Sequence, residues 1–183
     1  ERRDELVLGF VGFYRDWHRL DVVLAAMAAP ALAHTRLVLV GEGPAREGLE
    51  QQARALGLTE RVHFAGPRPH DAIPGLLPAF DVALVPAINA YASPLKLFEY
   101  MAAALPVIAP DQPNLREVLT HGEDALLVPS GDEGALRAAL VKLAEPGLAV
   151  RIGAAARATI ERGDYTWQGN ARRVVAAVEA LAR

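Results

Sequence analysis

Short runs of consecutive apolar residues alternate with stretches of helical spacing along almost the whole chain. The runs lack the strict alternation of a half-exposed strand, so they predict strands that are covered on both faces. We predict strands over 6–12, 36–43, 61–66, 81–87, 105–110 and 124–129. Strands that alternate with helices in this way predict a parallel sheet with right-handed crossovers, which is a doubly wound α/β domain of about six strands.

The stretches between these strands carry apolar residues at helical spacing. The predicted helices cover 20–28, 45–56, a proline-interrupted 70–80, a stretch that begins at Pro94, 113–120 and 132–144. Two extra helices follow at the carboxyl end, over 147–162 and 167–182, and Thr166 is a predicted N-cap of the second. Because the sequence contains no linker or repeat, we predict a single domain over 1–183.

Composition narrows the functional class. The 183 residues are 52% hydrophobic and carry a net charge of −3, which is typical of a soluble globular chain without the basic patch of a nucleic-acid binder. The sequence has no cysteine, which excludes disulfides, thiolate nucleophiles and cysteine-ligated zinc, and favours an intracellular setting. No apolar run is long enough to span a membrane. We therefore expect a cytoplasmic protein that binds no nucleic acid.

The residues SPLKLFEY (93–100) open the helix that follows the fourth predicted strand. Ser93 suits the N-cap, and Pro94 suits the first helical position, where a missing N–H costs nothing. The free amides of Leu95 and Lys96 then point out of the helix, and the Lys96 ammonium adds a full positive charge. A helix N-terminus of this kind is an anion site, and phosphate is the expected guest.

Glu99 is predicted to lie on the buried stripe of this helix, together with Leu95, Phe98 and Ala102. A buried carboxylate is costly unless something donates a hydrogen bond to it. Lys96, three residues earlier, is one candidate partner. The two hydroxyls of a ribose whose phosphates lie at the helix N-terminus are another. An ordinary surface ion pair between Lys96 and Glu99 is the alternative without a ligand.

The loops at the carboxyl ends of the other strands carry further polar residues, and this is the edge where doubly wound sheets bind ligands. Gly12 ends the first strand and permits a ligand to approach the backbone closely. Arg15, His18 and Arg19 follow it and are predicted to add positive charge. Arg68 follows the third strand and could cover a base, with a solvated surface arginine as the alternative.

Two other features of these loops bear on the chemistry. The stretch GEGPAREG (41–48) resembles a dinucleotide fingerprint, but Arg46 stands in the place of its third glycine and no acid ends the next strand. A NAD-dependent dehydrogenase is therefore not predicted, and the glycines are expected to form a tight turn that faces the cleft. His70 is a predicted cap of the helix that follows it.

Five segments in order resemble a known family: Gly12 with its loop, LVLVGEGP, RVHFAG, SPLKLFEYMAAALPVIA and NLREVLTHGEDALLVPSGD. They look like the C-terminal, donor-binding half of a GT-B glycosyltransferase of family four. The resemblance, which runs from about residue 6 to the C-terminus, implies a Rossmann-like domain that binds a nucleotide-sugar. It also implies a missing N-terminal domain that binds the acceptor. The implied reaction is a retaining glycosyl transfer of the hexosyltransferase type, without metal or cofactor.

The resemblance implies roles for individual residues. Glu99 matches the second glutamate of the family's Glu-x7-Glu motif, which holds the ribose hydroxyls. The nucleotide-sugar-binding residues are then Gly12, Arg68, Ser93, Pro94, Leu95, Lys96 and Glu99. The catalytic candidates are Arg15, His18 and Lys96, as groups that stabilise the charge on the leaving diphosphate.

Two features depart from the family pattern. Tyr91 stands where the first glutamate of the motif would contact the donor sugar, so the sugar is left open. The family's phosphate-binding arginine and lysine in the first loop have no one-to-one match, because Phe13 and His18 fill their places. Arg15 and His18 are expected to serve in their stead, or Lys96 to restore the missing charge.

The resemblance also implies that this chain is a domain of a longer protein. Alone it is expected to bind nucleotide weakly and to transfer nothing. Trp167 and its neighbours, which would pack on the missing domain, are expected to be exposed, disordered or in a non-native contact. Membrane contact is expected only through that domain or a lipid acceptor. A non-catalytic nucleotide-binding or partner module is the second functional class, supported by Tyr91. A sugar epimerase or phosphorylase is a third, although a phosphorylase needs a Schiff-base lysine and only Lys96 and Lys142 exist.

Overall fold

The computed structural model describes residues 5–182, so residues 1–4 and 183 of the predicted domain lie outside the described part. The strands are β1 Leu6–Val11, β2 Thr35–Val40, β3 Val62–Gly66, β4 Val82–Leu84, β5 Val107–Pro110 and β6 Leu126–Val128. All six are parallel, and they lie in the order β3-β2-β1-β4-β5-β6. The strand order reverses between β1 and β4, which is the switch point where such sheets bind ligands. The predicted doubly wound α/β fold is confirmed.

The helices are α1 Leu20–Met27, α2 Arg46–Ala55, α3 Ile73–Leu76, α4 Leu95–Ala102, α5 Pro113–Arg116, α6 Glu133–Leu143, α7 Leu148–Gly163 and α8 Trp167–Leu181. The proline-containing stretch is broken as predicted, because α3 is flanked by short 3₁₀ turns at His70–Ala72 and Leu77–Ala79. Thr166 caps α8, and its hydroxyl accepts the N–H of Gly169 at 2.9 Å. Within residues 5–182 none of the helices has both the length and the apolar character that a bilayer crossing requires.

Successive residues of each strand point to opposite faces, and the two faces have separate cores. Leu8 and Phe10 of β1 pack on the side of α1 and α6, whereas Val7 packs on the side of α4. Gly9 lies between them, and a Cβ on it would overlap the ring of Phe80. Both faces are therefore buried, as the apolar runs predicted, and each large side chain contributes about 1.5–3 kcal/mol.

One buried hydroxyl fixes how α4 sits on the sheet. Tyr100 is fully buried, and its phenolic oxygen accepts the backbone N–H of Val11 at 2.7 Å. Burial raises the pKa of Tyr100 far above its usual range, so the phenol stays neutral. Because Val11 is the last residue of β1, this bond ties α4 to the end of the strand immediately before Gly12.

Candidate functional site

The amino end of α4 lies at the ligand-binding edge of the sheet. Pro94 is its N-cap, with φ −74° and ψ 117°, and Leu95 is the first helical residue. The prediction that Ser93 caps the helix and Pro94 opens it is wrong, because the extended Pro94 takes the cap position and no described side chain caps the helix. The N–H groups of Leu95 and Lys96 donate to no other group of the described chain. Two backbone donors therefore stay available for an anion.

The Lys96 side chain lies over the end of β1. Its Nζ is 3.9 Å from the centroid of the Phe10 ring and 2.5 Å from the position that a Cβ on Gly12 would take. Burial lowers the pKa of Lys96 to about 8, partly opposed by the nearby charge of Glu99. Among residues 5–182 no carboxylate forms an ion pair with this ammonium. The result is a half-buried cation that lacks a protein counter-ion and adjoins an uncovered backbone.

The stripe that α4 buries differs from the predicted one. Its fully buried residues are Leu97, Tyr100 and Met101, whereas Leu95 and Ala102 are exposed. The prediction was wrong because the Tyr100 hydrogen bond sets the rotation of the helix about its axis. Glu99 therefore lies at the margin of the buried face, with 32% of its side chain exposed.

Glu99 contacts His70 rather than Lys96. His70 Nε2 lies 3.1 Å from Glu99 Oε1, and because an ionised carboxylate only accepts, the ring nitrogen donates. The prediction that His70 caps the following helix is wrong, since Pro69 is the cap residue and the ring is turned towards Glu99. No group in residues 5–182 donates to the second oxygen, Oε2. That oxygen is available to the hydroxyls of a ligand.

The two arginines of the first loop are engaged elsewhere. The Arg15 guanidinium stacks on the rings of Phe13 and Trp17, at 4.8 Å and 5.2 Å from their centroids. Arg19 forms an ion pair with Asp21 at 3.0 Å. The Arg15 guanidinium is therefore held against rings of its own loop, and no contact joins it to the amino end of α4 among the described residues.

His18 of the same loop is half-buried. Its ring packs edge-on against Phe10, with 5.2 Å between the ring centroids. Burial, together with the charges of Lys96 and Arg15, lowers the pKa of His18 to about 4. The prediction that His18 adds positive charge is wrong at neutral pH, because a cation here would be desolvated beside another cation. A neutral imidazole still carries one N–H that can donate a hydrogen bond.

A cavity of about 320 Å³ opens beside Gly12, a volume at the low end of small-molecule sites. Gly12, Arg68 and His70 line it together with the glycine turn after β2. Gly41 of that turn has φ +134°, and a Cβ on it would overlap the carbonyl of Gly12. The turn faces the cleft as predicted and also supports the first loop. The exposed Arg68 side chain donates to the neighbouring Pro67 carbonyl at 3.1 Å.

Amide side chains at the start of α5 hold the loop between β4 and α4. Asn114 Nδ2 donates to the Ala92 carbonyl at 2.6 Å, and Gln112 Nε2 donates to the Ile88 carbonyl at 3.3 Å. Tyr91 of the held loop is 88% exposed. Neither these amides nor the hydroxyl of Tyr100 is among the predicted site residues, although Tyr100 follows Lys96 by one helical turn and so shares its face.

The fold defines a Rossmann-like domain of the GT-B type, with free backbone donors and the Lys96 ammonium at its switch point. The chain belongs to the family described as Glycosyl transferases group 1, which matches residues 5–146. A relative, the lipopolysaccharide core biosynthesis glycosyltransferase LpsD of Rhizobium meliloti (strain 1021), is 38% identical over 136 residues. The match covers 73% of this chain and 38% of the relative, so the chain spans well under half of that protein.

Solved structures share the fold. Alr3699/HepE of Anabaena in complex with UDP superposes with a TM-score of 0.84 and 21% identity, covering 97% of this chain and 49% of that one. The C-terminal domain of the glycosyl transferase group 1 family protein LpcC of Francisella tularensis superposes with a TM-score of 0.77 and 20% identity. In that case 86% of this chain and 85% of the other chain are covered, so a domain of this extent crystallises by itself.

Proposed function

We propose that this chain is the donor-binding domain of a retaining, family-four glycosyltransferase that uses a nucleoside diphosphate sugar. The observation that carries the proposal is the arrangement at α4. The Lys96 ammonium lies against Gly12, two backbone N–H groups at the amino end of α4 are free, and the Glu99 carboxylate lies one turn deeper. The UDP complex of the Anabaena protein, which shares the fold, supports a nucleotide-sugar as the ligand.

Each part of a nucleoside diphosphate has a matching group in this arrangement. The diphosphate fits between the backbone of Gly12 and the amino end of α4, where the dipole and Lys96 favour negative charge. The ribose hydroxyls fit the free Oε2 of Glu99, which can accept two hydrogen bonds. The base fits the cavity beside Arg68, whose exposed guanidinium can stack on its face.

The proposed catalysis depends on stabilising the leaving diphosphate. Negative charge grows on it as the bond to the sugar breaks, and fixed donors around it lower the barrier. Lys96 is the nearest cation and carries the largest share of this role. His18 contributes a neutral N–H, and Arg15 contributes only after leaving the Phe13 and Trp17 rings. We propose that no metal or cofactor takes part.

The proposal includes a second, acceptor-binding domain as the partner of this one. α8 carries an exposed apolar stripe, with Trp167 80%, Val174 63%, Val178 60% and Leu181 89% exposed. Exposure of Trp167 is one of the three outcomes left open by the sequence, and an apolar stripe of this size is typical of a surface that another element covers. We propose that the acceptor domain covers this stripe. The donor-binding domain alone then binds the donor without turnover. We also propose that the protein is cytoplasmic and contacts a membrane only through the acceptor domain or a lipid acceptor.

A non-catalytic nucleotide-binding module is the second candidate, and Tyr91 favours it. Its exposed ring stands where a carboxylate would contact the donor sugar, and its hydroxyl pairs only with Asn89 among the described residues, at 3.3 Å. Glycosyl transfer by a protein that includes the acceptor domain distinguishes the two candidates. Donor binding without any transfer supports the module.

Calorimetric titration of this chain with UDP, GDP and ADP tests donor binding, in buffer containing EDTA so that a metal requirement is also tested. We expect one series to bind and Glu99→Ala to weaken it about tenfold or more, because the ribose hydroxyls lose a charged acceptor. Glu179→Ala, on the exposed surface of α8, is the control and should bind like the parent chain. Equal affinity in Glu99→Ala and the parent contradicts the ribose assignment.

A further inference from the structure

His70 contacts both regions that the proposed function assigns to the nucleoside. Its Nε2 lies 3.1 Å from Glu99 Oε1, the carboxylate assigned to the ribose. The same residue lines the cavity assigned to the base, together with Gly12 and Arg68. His70 is brought there by the short turn His70–Ala72 that follows β3, whereas Glu99 comes from α4. The contact therefore joins two elements that are distant in the sequence.

The hydrogen bond gives Glu99 a defined orientation. A partly exposed glutamate has several rotamers, and binding a ligand through it requires that it give up this freedom. Because His70 occupies only Oε1, the carboxylate is held while Oε2 remains available. Lys96 does not do this, since it lies over Phe10 and Gly12.

The His70 side chain is 87% exposed, so its bond to Glu99 contributes little while water competes for both groups. A base in the adjoining cavity covers the ring and removes that water. The hydrogen bond to a charged acceptor then becomes stronger, because the surroundings are less polar. Occupying the cavity therefore strengthens the orientation of Glu99.

We propose that His70 is a positioning residue that couples base binding to ribose binding: its hydrogen bond to Glu99 lets the site recognise a ribonucleoside as one unit. This inference rests on the proposed donor-binding function. It assigns specificity for a ribose hydroxyl to a residue outside α4. It also predicts that the residue has no part in binding the diphosphate.

The test compares three ligands within each variant by calorimetry. They are the nucleoside diphosphate that binds best, its 2′-deoxy counterpart and inorganic pyrophosphate. His70→Ala should weaken the ribonucleotide about fivefold, because a hydrogen bond to a charged group is lost. The preference for ribose over deoxyribose should fall in the same variant, and pyrophosphate affinity should stay within about twofold, as for a surface change.

Two further variants separate positioning from damage to the fold. His70→Gln retains an N–H donor at a similar reach and should restore most of the ribose preference. His63→Ala, an exposed histidine on β3, should leave all three affinities unchanged.

The outcomes separate this inference from the proposed function. A parent chain that binds neither nucleoside diphosphates nor pyrophosphate overturns both. If the parent binds but His70→Ala retains the full ribose preference, only the role of His70 is overturned. Equal weakening of pyrophosphate and ribonucleotide in His70→Ala also overturns it, because a positioning role for Glu99 does not reach the diphosphate.

Discussion

The first loop and the amino end of α4 lie at the same edge of the sheet, yet they offer a ligand very different charge. The loop carries three basic residues between Gly12 and α1, and α4 carries one. In the structure Arg15 stacks on aromatic rings, Arg19 pairs with Asp21 and His18 is neutral. Of these four side chains, only Lys96 combines a positive charge with burial and the absence of an ion-pair partner among the described residues. The number of basic residues in a loop therefore says little about the charge available to a ligand.

Desolvation explains the difference. A cation that is removed from water without a partner costs folding free energy, and an anionic ligand offsets that cost when it binds. An exposed or stacked arginine is not desolvated in this way on folding, so binding the same anionic ligand stabilises it less. We therefore expect Lys96 to lower the stability of the domain, as residues of binding sites often do.

The largest expected effect compares Lys96→Met with Arg15→Met. Lys96→Met should weaken nucleoside diphosphate binding about 30-fold, because a desolvated hydrogen bond between charges is lost. Arg15→Met should change it by less than about threefold, as for an exposed charge. Calorimetric titration of both variants measures the difference in affinity. Equal losses of affinity in the two variants would mean that Arg15 of the first loop contributes as much to diphosphate binding as Lys96 does.

Stability provides a second measurement on the same lysine. Lys96→Met should raise the free energy of unfolding at pH 7 by about 1–2 kcal/mol, because a half-buried charge without a partner is removed. The folded-state pKa of about 8 lies below the ordinary value of 10.5. The cost of the charge is therefore fully present below pH 8, and the gain should shrink as the pH rises from 8 towards 10.5.

A smaller effect is expected from the glycine beneath the ammonium. Gly12→Ala should weaken diphosphate binding about tenfold, because the new Cβ displaces Lys96 Nζ and strains a residue at positive φ. Gly48→Ala is the matched control, since a Cβ there meets nothing within 4 Å and alanine suits the α2 helix. Calorimetric titration of both variants with the nucleoside diphosphate compares their affinities. If Gly12→Ala binds like Gly48→Ala, the diphosphate does not approach β1 closely.

The smallest effect is a dependence of affinity on pH. Lys96 has a pKa of about 8, and a bound diphosphate stabilises its protonated form. Affinity should therefore be highest below pH 8 and fall about fourfold between pH 7 and 8.5, as the free ammonium loses its proton. Calorimetry in buffers of different ionisation enthalpy should detect proton uptake at pH 8.5. Lys96→Met should show neither the fall in affinity nor the proton uptake. If the affinity of the parent chain does not change with pH, Lys96 does not contact the diphosphate.

The fold could be predicted because its elements are encoded locally. Apolar runs bounded by glycine and proline predicted all six strands to within a few residues, and Thr166 predicted the start of α8. At the site, the rule that strand ends share one edge predicted that the loop of Gly12 and the loop before α4 lie at the same edge of the sheet. The distance of Lys96 Nζ from Gly12 agrees with that rule.

The details that were missed depend on contacts between distant residues. The rotation of α4 is set by the bond from Tyr100 to Val11, 89 residues away, so the buried stripe could not be found from helical spacing. The partner of Glu99 is likewise 29 residues away, at His70. The neutral state of His18 depends on burial against Phe10, which a count of basic residues does not include.

A crystal structure of this chain with the nucleoside diphosphate that binds best is the most direct measurement. We predict Lys96 Nζ about 3 Å from a phosphate oxygen, the distance of a charged hydrogen bond, and Glu99 on the ribose hydroxyls. A diphosphate held by Arg15, with Lys96 still over the Phe10 ring, would contradict the account.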